Sequence, residues 1–215
     1  PAPSIEGDVT GGIVLAVPPK DTKPEDKDED KDGIEDDKEG SAAVTSFGSA
    51  PALRIGAAGR DVTIGAVAGT GTGLGLIIDG SVLGSGLYAG KDANAIQIGG
   101  LGGNVTIAGG IGIGGAVSAT SKDAAATGIR IGSGATTPEL RNAGKIDATT
   151  GGNVAGAIAT AVLIDAGGNV PLVRNSGTIA AKTGGDNGTA RGIVDLSGNV
   201  DLVENSGTIS ATGAL

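Results

Sequence analysis

Apolar and small or polar residues alternate along most of this chain in runs of four to six, and glycine separates one run from the next. Such runs are ALRIG from Ala52, DVTIG from Asp61, GLIIDG from Gly75, AIQIG from Ala95, NVTIAG from Asn104, GIRIG from Gly128, AVLID from Ala161 and GIVDL from Gly192. A period of two over four to six residues predicts short strands with one face buried. IEGDVTGGIVLAV, from Ile5, predicts one or two more strands turning at Gly11 and Gly12. No helical period lasts beyond a turn or two after Gly40.

The runs also repeat. LVRNSGTIAA begins at Leu172 and LVENSGTISA at Leu202, a step of 30, and a fainter LRNAGKIDA begins at Leu140, with 33 residues from Asn142 to Asn175. Each copy reads as strand, tight turn, strand. The turn is Asn-Ser-Gly, where the Gly suits a positive φ and the Asn side chain can bond nearby backbone. The step from Ile55 to Ile98 is 43, and those from Ile98 to Ile131 and from Ile131 to Ile164 are 33. Gly-Asn-Val recurs at Gly103, Gly152, Gly168 and Gly198, at turn-like junctions. A unit of this size cannot bury its apolar face alone, so the pattern predicts an all-β solenoid of about six turns. Asn142, Asn175 and Asn205 are expected to stack as an internal amide ladder. At about 4.8 Å per stacked strand the body would be only about 30 Å long. With Pro1 at the start and ISATGAL ending in mid-pattern, the chain is expected to be a processed piece of something longer.

One segment breaks the pattern. After Pro18 and Pro19, residues 20–39 hold eleven of the 24 acids and five of the 15 bases, a net charge of −6 against −9 for the whole chain. The organisation expected is therefore first solenoid strands over 1–17, an acidic insertion over 18–40, and a Gly-rich solenoid over 41–215. Composition fixes what the core is made of. Phe47 and Tyr88 are the only aromatics, Trp and Met are absent, and 43 residues are Gly, which leaves Val, Ile, Leu and Ala as core fillers.

The chain has neither His nor Cys. That removes Cys and His nucleophiles, Ser-His-Asp triads and the usual zinc, haem and iron-sulfur ligands. A pI near 4.4 argues against nucleic acid or anionic lipid as a partner. GTGTGLG at Gly69 lacks the Lys-Ser/Thr ending of a phosphate loop and reads as a solenoid turn, and GGDNGTARG at Gly184 lacks the order of a calcium nonapeptide. Parallel β-helices also carry polysaccharide lyases. Here Arg130, Lys145, Arg174 and Lys182 stand singly, and carboxylates outside the insertion do not cluster in sequence, so catalysis is not expected.

The insertion contains the chemistry. DEDKDGIEDDKE, Asp28 to Glu39, has Asp at positions one, three and five, Gly at six, Asp at nine and Glu at twelve. This is the spacing of a twelve-residue calcium loop, in which alternate carboxylates converge on one large, hard cation and Gly permits the bend. The expected ligands are the side chains of Asp28, Asp30 and Asp32, the backbone carbonyl of Ile34, Asp36 directly or through water, and bidentate Glu39. Glu35 at position eight and polar, Pro-containing flanks do not suit the paired helices of an EF-hand. Without metal, so dense a block of like charge is expected to repel itself.

On DEDKDGIEDD, the loop resembles the calcium repeats of thrombospondin type 3 modules, which occur in tandem where this chain has one. On LVRNSGTI and LVENSGTI, the chain resembles the passenger domains of bacterial autotransporters and related large surface adhesins, over most of 40–215. That resemblance implies a right-handed parallel β-helix that is secreted or displayed on the surface of a Gram-negative bacterium. It implies a structural or adhesive role toward an unknown receptor or glycan. The membrane-spanning barrel that ends such proteins is not among these 215 residues, so secretion by that route is an expectation from the resemblance. The alternative expectation is a calcium-dependent subunit of an extracellular filament or surface layer, self-associating through its solenoid ends or its calcium loop.

Overall fold

The computed structural model describes residues 1–152, 156–185 and 187–213. Asn153 and Val154 of one Gly-Asn-Val copy, Asp186 of the Gly184 run, and Ala214 and Leu215 of the terminal ISATGAL lie outside the described residues.

The chain winds through six stacked levels. The first holds β1 (Ser4–Ile5), β2 (Ile13–Leu15) and β3 (Ala43–Phe47); the second β4 (Leu53–Ile55), β5 (Val62–Ile64), β6 (Leu76–Ile78) and β7 (Ser81–Gly86). The third holds β8 (Ala93–Ile98), β9 (Val105–Ile107), β10 (Ile111–Ile113) and β11 (Ala116–Ser121). In the fourth are β12 (Ala126–Ile131), β13 (Ala135–Thr136), β14 (Glu139–Asn142) and β15 (Lys145–Thr150). The fifth holds β16 (Ile158–Ile164), β17 (Leu172–Asn175) and β18 (Thr178–Thr183), and the last β19 (Thr189–Asp195), β20 (Leu202–Asn205) and β21 (Thr208–Thr212). Three parallel sheets, each six strands deep, result: β1-β4-β8-β12-β16-β19, β2-β6-β10-β14-β17-β20 and β3-β7-β11-β15-β18-β21. A fourth, three-stranded sheet joins β5, β9 and β13. The fold is an all-β parallel solenoid, and among the described residues its only helix is a 3-10 turn at Asp36–Lys38.

The register follows the steps read from the sequence. Ile55 pairs with Ile98, Ile98 with Ile131 and Ile131 with Ile164, so equal side chains stack in one inward column, each no more than 1 % exposed. Leu172, Val173 and Asn175 pair with Leu202, Val203 and Asn205. The core contains only Ala, Val, Leu and Ile, while Phe47 and Tyr88 are 72 % and 68 % exposed. Stacking identical small side chains fills the interior without aromatic bulk, and each fully buried Ile or Leu adds about 1.5–3 kcal/mol of hydrophobic stabilisation.

The Asn-Ser-Gly corners join the second sheet to the third. The amide ladder is present: Asn142 Nδ2 donates to Asn175 Oδ1 at 2.7 Å, and Asn175 Nδ2 to Asn205 Oδ1 at 2.7 Å. Asn175 also donates to Gly177 O at 3.3 Å, within its own corner. The glycines have a different reason from the one expected. Gly177 and Gly207 are not among the residues with positive φ. A Cβ on either would instead lie 2.1 Å from the carbonyl oxygen of Gly144 or Gly177 in the level below, so the corner is Gly because backbones stack there in contact.

Residues from Ala16 to Ala42 form no strand. The insertion leaves β2 and returns to β3, and its two ends are tied by Ala42 N donating to Ala16 O at 2.8 Å.

Candidate metal centre

None of the insertion's residues belongs to the hydrophobic core, and none is fully buried. Polar bonds shape it instead. Lys31 at φ 60 and Gly33 at φ 91 bend the chain twice within three residues. Each bend is held by a carboxylate accepting from backbone: Asp30 Oδ1 from Asp32 N at 3.1 Å, Asp28 Oδ2 from Gly33 N at 3.2 Å, and Asp32 Oδ1 from Ile34 N at 2.7 Å. Self-bonding turns of this kind are typical of short acidic side chains in loops.

Bending brings Asp28, Asp30 and Asp32 together: one carboxylate oxygen from each lies within 4.8 Å of the others. Asp36 and Glu39 stand outside that tight group but next to it. Asp30, Asp32 and Glu39 line one groove of about 320 Å³ with Ile34 and Val17, and Asp30 and Asp36 line another of about 170 Å³ with Glu29. Glu39 titrates above the usual carboxylate range, first because it is partly desolvated and then because Asp30, Asp32, Asp36 and Asp28 all repel its charge. The side chain of Ile34 is half exposed.

Two side-chain oxygens of the loop are buried without a hydrogen-bond partner. Asp28 Oδ1 and Asp36 Oδ2 are both inaccessible to solvent and neither accepts a hydrogen bond. Their sister oxygens are occupied, Asp28 Oδ2 by Gly33 N and Asp36 Oδ1 by Glu29 N at 3.2 Å. The donor set is thus all-oxygen, acceptor-only and negatively charged, which is the chemistry of a hard divalent cation of calcium's size. The residues present fit such an ion.

Glu29 and Glu35, also acidic and within the same run, serve the loop's own structure. Glu29 accepts from Thr22 N at 2.7 Å and from the Thr22 hydroxyl, which lowers its pKa, and Glu35 pairs with Lys38.

Elsewhere three of the four bases singled out in the sequence, Arg130, Lys145 and Arg174, pair with neighbouring carboxylates, while Lys182 on β18 has no ion pair among the described residues. Arg130 pairs with Asp165 at 2.7 Å and Lys145 with Asp147 at 2.8 Å. Arg174 reaches Glu204 at 2.7 Å and Glu139 at 3.7 Å, and Glu139 also holds Arg141 at 2.7 Å. This four-membered cluster was invisible as a cluster in the sequence. The 33- and 30-residue steps that superpose Arg141, Arg174 and Glu204 were the signal that could have found it. GTGTGLG at Gly69 lies in the connection from β5 to β6, with Gly69, Gly71 and Gly73 all at positive φ, a solenoid turn.

The fold and this loop define a parallel β-solenoid with an acidic oxygen-donor insertion. No protein-family profile, no curated protein and no solved structure matches the chain. Among the described residues no helix is long and apolar enough to cross a membrane.

Proposed function

We propose that the chain is a non-catalytic, structural or adhesive solenoid of a secreted or cell-surface protein from a Gram-negative bacterium, and that its insertion binds calcium. The observation that carries the calcium reading is the convergence of Asp28, Asp30 and Asp32, one carboxylate oxygen from each within 4.8 Å of the others, with Glu39 near enough for its charge to be repelled by all three. In this reading the three aspartates, the Ile34 carbonyl, Asp36 and a bidentate Glu39 surround the ion. Bound calcium neutralises the like charges that otherwise push the loop apart, and so makes a rigid projection at the corner between β2 and β3. The surface reading rests on the repeat resemblance and on the acidic net charge; a stack with no aromatic in its hydrophobic core and no thiol suits an exposed scaffold that presents loops at fixed spacing.

The test is a calcium titration of the full chain, followed by calorimetry and by protease cleavage between Lys20 and Gly40. The expected result is one site with a dissociation constant of about 10⁻⁴ to 10⁻³ M, the range of extracellular modules, and cleavage that stops on saturation. Asp30→Asn with Asp32→Asn should weaken binding by more than tenfold. Cleavage and heat that are indifferent to calcium would overturn the assignment, with magnesium as the control for mere charge screening.

A further inference from the structure

We infer that the outward face of the second sheet carries a binding groove for a neutral, polyhydroxylated chain, an oligosaccharide, recognised by the charged cluster of Arg141, Glu139, Arg174 and Glu204. Such a groove gives the adhesive role proposed above a site, rests on that reading, and is independent of calcium.

The groove follows from the outward column of the sheet, in which Val14, Ile77, Gly112, Arg141, Arg174 and Glu204 succeed one another level by level. Gly112 has no side chain, so the column dips there, and Leu74 from the Gly69 connection lies across the dip: a Cβ on Gly112 would sit 2.6 Å from Leu74 Cδ1. A hollow of about 200 Å³ is lined by Thr72, Ile77, Asp79, Gly112 and Arg141, and one of about 390 Å³ by Arg141, Arg174, Ser176, Glu204 and Ser206. The larger alone falls in the range of small-ligand sites, roughly 300–1,000 Å³. Because Arg141 lines both, the hollows join along the solenoid axis, and four strand spacings make a trough of about 20 Å, long enough for a chain. Gly112, Arg141 and Arg174 belong to levels paired on both sides, so further levels at either end would lengthen the groove rather than close it.

Its walls are balanced in charge. Arg141 Nη2 donates to Glu139 Oε1 at 2.7 Å, and Arg174 Nε lies 2.7 Å from Glu204 Oε2. Two cations and two anions cancel. An anionic ligand meets Glu139, Glu204 and Asp79, a cationic one meets both arginines, and a purely apolar one strips water from guanidinium and carboxylate alike; each is opposed by desolvation.

The groups that remain unmet match a hydroxyl. Glu139 is 8 % exposed, yet its Oε2 accepts no hydrogen bond, and Arg141 Nε, also inaccessible, has no acceptor. Arg174 Nη1 stands 3.7 Å from Glu139 Oε2, wider than a hydrogen bond, so this pair is open to a third group that bonds to both members. A hydroxyl donates one hydrogen and accepts two, so it can take an arginine N–H and give its own hydrogen to the glutamate; a carboxylate or an ammonium can do only half of this. Ser176 and Ser206 add hydroxyls to the same wall, and Leu74 with Ile77 adds hydrocarbon for the C–H face of a ring.

Calorimetry on the full chain tests this with neutral hexasaccharides of glucose, galactose and mannose, and with hexagalacturonate as the charged counterpart. At least one neutral probe is expected to bind tenfold or more tightly than the uronate, with little change on adding salt or EDTA, and to slow hydrogen exchange in β14 and β17. Arg174→Gln should weaken binding at least tenfold. Ser176→Tyr, which fills the hollow from an exposed turn and leaves every charged residue in place, should do the same, with urea midpoints showing that both variants fold. No binding by any neutral probe, tighter binding of the uronate, or binding unchanged in both variants overturns the groove. Binding lost in EDTA also overturns it, and would move the adhesive contact to the acidic insertion, leaving the adhesive reading itself standing.

Discussion

The solenoid levels and the acidic insertion are held together by opposite means. In the levels, interior side chains are mostly apolar, with Asn142, Asn175, Thr150 and Thr183 buried among them, repeat every 30 to 33 residues in the later half, and lie in columns where neighbours are often the same or nearly the same residue. In the insertion nothing is fully buried, and the bonds that set its shape run from backbone amides to its own carboxylates. The contrast teaches where each region's stability comes from. The levels gain from removing hydrocarbon from water, which no ion or modest pH change touches. The insertion assembles carboxylates that repel one another, so its order depends on what neutralises them.

That difference can be broken by moving each region's determinant separately. The largest effect is expected for Ile131→Ala, which opens a cavity in the middle of the isoleucine column and should cost about 2–5 kcal/mol in urea unfolding while calcium affinity stays unchanged. A parallel loss of calcium binding would mean that the two regions are coupled. Asn175→Leu comes next. It strands one Asn142 amide hydrogen, the other keeping Thr178 O, and leaves the Asn205 oxygen without its donor, at a cost of about 2–3 kcal/mol by the same measurement. An unchanged midpoint would show that the ladder is not stabilising.

The smallest effect concerns pH and belongs to the insertion alone. Glu39 titrates above its ordinary value, so the apo loop binds more protons than an unfolded one, and its stability is greatest below the ordinary carboxylate range and falls as pH rises through the raised value. In the calcium site proposed above, the ion would need the charged form and displace that proton. Affinity is therefore expected to decline as pH is lowered, starting at a higher pH than an ordinary Glu would impose, and Glu39→Gln should remove that early onset. Calorimetry in buffers of different ionisation heat reads the proton released. Solenoid unfolding midpoints should not follow the same curve.

Much of the fold was legible because it is local and repeated. Strands of period two, the steps of 43, 33 and 33, and the stacking of Asn142, Asn175 and Asn205 all follow from residue spacing, and the register reproduces them. The third sheet was harder to see. SVLGSG and AVSATS have weak hydropathy, because their inward positions after Val82 and Val117 are Gly84 and Ala119; a Cβ on Gly84 would lie 2.1 Å from Asn94 O, so the sheets approach too closely there for larger residues. Small size was a packing requirement that hydropathy does not register.

By itself the sequence determined the solenoid, its core composition and the spacing of the acidic loop, since each depends on which residues recur and at what interval. Only the tertiary structure decided three further matters. Gly177 and Gly207 are required by contact between levels rather than by backbone angle. Arg141, Arg174, Glu139 and Glu204 form one charged cluster. Asp28 and Asp36 each keep one oxygen inaccessible and unbonded beside the other carboxylates. All three depend on atoms that meet across levels or bends, and distance between atoms far apart in the chain exists only once the backbone has been wound.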